Sequence, residues 1–140
     1  MDFADALRRD RALVLDGATG TMVQALGLGD AAFGGPDYKM LVDLLNFSLP
    51  VAMRDIHLAF YRAGADAVET NTFGASAFRL AEYDFSGLDL SQWAANPHGV
   101  DPRRLSHDEL AYWLSRRGAE IAAEARDLHR QDPAYDGRPL

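Results

Sequence analysis

Apolar positions along this chain fall into two patterns. Two short runs, Ala12-Leu13-Val14-Leu15 and the small, mostly apolar Ala65-Asp66-Ala67-Val68, have the length of a β-strand buried on both faces. Each runs straight into polar residues. The longer segments instead repeat apolar residues at helical spacing. Residues 2–9 place Phe3, Ala6 and Leu7 on one face. Met22, Val23, Ala25 and Leu26 begin a helix that Gly27 and Gly29 stop. The apolar run 41–45 reads as a short helix. Ser48 is placed as an N-cap, with Pro50 in the first turn, for a helix reaching Ala63. Its stripe is Met53, Ile56, Phe60 and Ala63, and Gly64 ends it.

The second half continues in the same alternation. Residues 75–83 predict a helix that buries Phe78 and Leu80. Ser106 and Glu109 match a capping box, in which each side chain satisfies an orphan amide of the other. The helix that follows runs to about Arg130, with Leu110, Leu114, Ile121, Ala125 and Leu128 as its inner stripe. Pro133 and Gly137 break it. Residues 29–39 and 85–102 read as loops, with Trp93 packing down on the domain. The order β, α, α, β, α, α predicts an α/β fold with a parallel sheet. Two strands do not make a sheet covered on both faces. The expectation is therefore one domain over 1–140 that forms the first part of something larger.

Composition narrows the function. A chain of 140 residues with a formal net charge of −7 does not suit a nucleic-acid or acidic-membrane partner. It contains no cysteine, so neither a disulfide framework nor a thiolate metal site exists within it. No run of ~18 apolar residues appears and the N-terminus lacks an apolar signal core, which makes the cytoplasm the default location. The four histidines, His57, His98, His107 and His129, show no pair at i, i+4 and read as solvated or packing residues. Arg8-Arg9, Arg103-Arg104 and Arg116-Arg117 read as solvated faces.

The chemistry concentrates in two loops. Asp16-Gly17-Ala18-Thr19-Gly20-Thr21 follows the first strand, and Glu69-Thr70-Asn71-Thr72 follows the second. In parallel α/β folds, ligands sit at the carboxyl ends of the strands. Parallel pairing would bring both loops to one edge, with Asp16 and Glu69 facing one cavity. Two carboxylates, hydroxyls and open glycine-loop amides suit a zwitterion such as an amino acid. The carboxylates would take its ammonium; amides or hydroxyls would take its carboxylate. The competing reading is an ordinary polar βα turn. A dinucleotide fingerprint or a P-loop is excluded by spacing, since Gly17-Ala18-Thr19-Gly20 fits neither.

Together, LVLDGATGTMVQ (13–24) and LLNFSLPVAMRDIHLAFYRAGADAVETNTFGAS (44–76) resemble the N-terminal homocysteine-binding barrel of the homocysteine S-methyltransferases. The nearest variety is the first module of the cobalamin-dependent methionine synthases. The match covers roughly residues 11–85, with a looser match for the helix from Ser106. The resemblance implies the N-terminal portion of a (β/α)₈ TIM barrel, about two strands plus helices, incomplete in this chain. It implies methyl transfer to the sulfur of homocysteine, giving methionine. It places the amino-acid end of homocysteine on Asp16, Gly17, Ala18, Thr19 and Gly20, and on Glu69, Thr70 and Asn71. Zn²⁺ is the family's metal, held by cysteines of later strands, and those ligands are absent here. Cobalamin and methyltetrahydrofolate would act only through other domains. The expected partners are homocysteine and a second chain or domain completing the barrel. The alternatives are a non-catalytic amino-acid-binding or interaction fragment and a truncated remnant. The sequence does not identify the methyl donor.

Overall fold

The computed structural model describes residues 7–8, 12–93 and 96–137 of the protein. The expected helix over 2–9 lies mostly outside them. The helices in order are α1 (Thr19–Ala25), α2 (Leu45–Ser48), α3 (Pro50–Arg62), α4 (Ala77–Leu80) and α5 (His107–Arg130). Short 3₁₀ turns fill the connections at Asp30–Phe33, Pro36–Tyr38, Val42–Leu44, Phe85–Gly87 and Pro102–Arg104. None of these helices is long and apolar enough to cross a membrane.

The two expected strands run parallel and side by side, but they form only one bridge, Leu15 to Ala67. Asp16 N–H donates to Ala67 O at 3.1 Å and Asp66 N–H to Val14 O at 2.7 Å. The expectation of two strands is corrected to this bridge; the described residues form no extended β-strand. The reason is the missing neighbours. Nothing described covers the outer side of the first run, and Val14 and Leu15 remain 51% and 60% exposed. A two-stranded pair without a covered face is marginal in water. The Ala65–Val68 side is better covered, with Ala65 and Asp66 buried.

Packing rests on α3 and α5, which lie against each other. Leu110, Leu114, Ile121 and Ala125 are fully buried, as the α5 stripe predicts, whereas Leu128 is not. Met53 and Ile56 of α3 are buried too. The buried face of α3 is wider than the predicted stripe: it adds His57, Leu58 and Tyr61, while Ala63 is exposed. Burying each such aliphatic side chain is worth ~1.5–3 kcal/mol against leaving it in water. Phe47 stacks on Trp93 with ring centroids 5.4 Å apart, so Trp93 does pack on the domain.

Local signals fix the helix ends. Ser106 and Glu109 form the capping box: Glu109 N–H donates to Ser106 Oγ at 3.3 Å, and Ser106 N–H donates to Glu109 Oε2 at 2.9 Å. Ser106→Ala should lower the unfolding free energy by ~1 kcal/mol, read in urea denaturation, with the m-value unchanged. Gly64 ends α3 with φ +104°, a conformation that favours glycine. Ser48 does not cap α3: the cap position is Leu49, and Ser48 Oγ donates back to Leu44 O. The 75–83 helix is only one turn, α4. Its Leu80 is buried, but Phe78 is 88% exposed, against the expectation. With so short a helix, no second apolar layer reaches Phe78.

Candidate functional site

The parallel bridge carries the two loops to the same place. A cleft of about 400 Å³ opens there, lined by Gly17 to Gly20 on one side and Glu69 to Gly74 on the other. Met40, Val42, Asp43 and Arg79 complete the wall. The structure thus brings Gly17, Ala18, Thr19, Gly20, Glu69, Thr70 and Asn71 together. Asp16 sits behind this lining, not on it. Its Oδ1 accepts the Glu69 N–H at 3.0 Å, which ties the first loop to the second.

Each polar side chain of the second loop has its own setting. Glu69 is exposed. Thr70 and Thr72 share a hydrogen bond between hydroxyls at 2.8 Å. Asn71 is buried, and its amide is committed to the framework: Nδ2 donates to Val42 O at 3.0 Å and to Asn46 Oδ1 at 3.1 Å. Asn46, wholly buried, returns a bond from its Nδ2 to Asn71 O at 2.8 Å and one to Leu114 O at 3.3 Å. This buried amide pair joins the loop to α2 and to α5. Asn71 therefore sets the position of the cleft wall.

Sequence reading missed Asp43 and Arg79. Asp43 is buried, and both its carboxylate oxygens accept the Gly74 N–H, at 2.9 and 3.1 Å. Burial pushes its pKa up, against the pull of those backbone N–H groups and of the Arg79 charge. A signal was present: one acid inside the apolar run Leu41–Leu45 is costly unless it has partners. Arg79 pairs with Glu82 and donates to Tyr83 Oη at 2.9 Å. The cleft so presents carboxylates, hydroxyls, open glycine-loop backbone and one guanidinium, with Met40 and the fully exposed Phe73 as apolar rim. A small zwitterion with an apolar tail matches that mixture in charge and polarity.

The family model described as homocysteine S-methyltransferase matches residues 13–135, which spans both loops, the cleft and α5. The chain belongs to the homocysteine S-methyltransferase family. The fold of that family is the (β/α)₈ barrel, and its chemistry is methyl transfer to homocysteine. A methionine synthase from Mycobacterium tuberculosis (strain ATCC 25618 / H37Rv) is 42% identical over 93 residues. That alignment covers 65% of this chain and 8% of that protein, so the chain spans a small part of its relative's length.

The family's metal does not fit the residues present. The chain has no cysteine. Among the described residues, no three His, Asp or Glu side chains cluster to hold an ion.

Proposed function

We propose that this chain is the part of a homocysteine S-methyltransferase barrel that holds the amino-acid end of homocysteine. The observation that carries the reading is the hydrogen bond from Glu69 N–H to Asp16 Oδ1, which locks the two family loops around one cleft. Asp16 and Glu69 supply negative charge for the ammonium group. The backbone of Gly17 to Gly20 and the Thr70 hydroxyl take the carboxylate. Asn71 holds the loop in place from behind. The thiol end of homocysteine extends past these groups towards the side where the family's zinc would sit. No zinc step is assigned to this chain, because its residues do not fit the ion.

The remaining strands, and the metal with them, come from a second chain or domain. Two features support this part of the proposal. The Val14–Leu15 run is exposed on its outer side, and among the described residues its only β-pairing is the bridge to Ala67. An unpaired strand edge of that kind is a template for another strand. Cytoplasmic location belongs to the same proposal. Mixing the pure chain with homocysteine, zinc and a methyl donor (methyltetrahydrofolate, methylcobalamin, betaine or S-methylmethionine) should give no methionine above background. Turnover by the chain alone would contradict the need for a partner.

A non-catalytic amino-acid-binding module is the second reading. The absence of cysteine favours it. Calorimetry separates the two: zinc-independent binding of methionine, with no gain in activity when barrel-completing chains are added, supports the binding module.

A further inference from the structure

Two buried polar groups behind the cleft have no hydrogen-bond partner: Asp16 Oδ2 and the imidazole of His57, at both of its nitrogens. His57 is 0% exposed on the inner face of α3. An unmade hydrogen bond on a buried group costs ~1–3 kcal/mol, so an imidazole with both nitrogens idle needs an explanation. Packing of its hydrocarbon edge alone would be served better by leucine.

The placement of α3 supplies one. The ring of Phe60 lies 3.5 Å from where a Cβ on Gly17 would stand, so this face of α3 rests on the Asp16–Gly17 turn. His57 is three residues before Phe60 and shares that face. The Asp16 charge reaches it. Burial lowers the His57 pKa, and Asp16 is the group that raises it in opposition. Tyr61, one turn further along, also feels Asp16. The needs match as well. One oxygen of Asp16 is taken by Glu69 N–H, and the other lacks a donor. A neutral imidazole has one N–H to give.

We infer that His57 is a positioning residue, whose imidazole forms one hydrogen-bonded unit with Asp16 Oδ2 across a single bridging water. This fixes the carboxylate for the ammonium of the amino-acid ligand. The inference rests on the reading of Asp16 as a source of negative charge for the ammonium. With Glu69 N–H on one oxygen and His57 facing the other, the carboxylate is held in one orientation behind the cleft lining. A helix-borne donor suits the task, because α3 is among the most firmly packed elements of the molecule.

The test is an NMR titration of the full chain labelled with ¹⁵N in histidine, as wild type and as Asp16→Asn. Homocysteine and methionine binding is then measured in wild type, His57→Gln and His57→Leu. The His57 midpoint should fall in Asp16→Asn, since the opposing charge is gone. His57→Gln keeps a donor and should bind within a few-fold of wild type; His57→Leu should bind about tenfold more weakly, the cost of one lost buried bond. An unchanged His57 titration in Asp16→Asn overturns the inference. So does a folded His57→Leu that binds as wild type. If Asp16→Asn does not fold, the wild-type ring N–H decides: slow exchange with solvent supports the pair, and exchange at the solvent rate overturns it. The titration needs no ligand. A coupled His57 and Asp16 with no binding of either amino acid would therefore sink the ligand role of Asp16 and leave the pair standing.

Discussion

Gly118→Ala should destabilise the protein by ~1–2 kcal/mol, although the same change in the middle of an isolated helix stabilises it by ~1 kcal/mol. Gly118 lies in the middle of α5. A Cβ there would stand 2.6 Å from Thr72 Cγ2, 3.2 Å from Asn46 Nδ2 and 3.4 Å from Asn71 O. All three atoms belong to the site loop or to the amide pair that supports it. Thr72 cannot simply turn aside, because its hydroxyl and its N–H are both bonded to Thr70. Overpacking of this kind costs ~1–3 kcal/mol, which outweighs the gain in helix propensity. Gly118→Val should be worse. Urea denaturation checks the sign, and amide shifts of residues 69–74 report the loop movement. A more stable Gly118→Ala would show that the loop is not pressed on α5.

Asn46→Leu is expected to cost more, ~3 kcal/mol. The volumes are similar, so the change tests hydrogen bonding and not space. It strips Asn71 O of the bond at 2.8 Å and leaves one hydrogen of Asn71 Nδ2 without an acceptor. Each orphaned group inside the core costs ~1–3 kcal/mol. Against a total stability of ~5–15 kcal/mol for a domain, that is a large share. Thermal unfolding should show the loss. The double variant Asn46→Leu with Asn71→Leu should recover part of it, since both partners are then apolar. A double-variant loss equal to the sum of the two single-variant losses would mean that the two amides act independently.

Much of the site was legible because its signals are local. Asp16 to Thr21 and Glu69 to Thr72 announce themselves as polar loops after apolar runs, and the bridge at Leu15 and Ala67 brings them together as parallel pairing requires. The Ser106–Glu109 capping box and the Gly64 stop were legible for the same reason. Failures came where the outcome depends on distant neighbours. The run Ala12–Leu15 has the composition of a buried strand, but with no third strand beside it among the described residues Val14 and Leu15 stay exposed. Phe78 has the right period for burial and no surface to meet. The burial of Asn71 depends on Asn46, 25 positions away in sequence. His57 gave no sequence signal as a site residue, because its meaning comes from the helix face that rests on the Asp16 turn.

The account stands or falls on whether the cleft takes an amino acid. The most direct measurement is an amide NMR titration of the chain with homocysteine, repeated with methionine. Both share the amino-acid end and differ at sulfur. The account predicts saturable shifts from both ligands, confined to residues 16–20 and 69–74 and lost in Asp16→Ala. Affinity should be similar for the two, since the groups assigned here bind the common end. Shifts centred on another open cleft, such as that around Arg117 and Glu124, or no shifts with the wild-type chain folded, would contradict it.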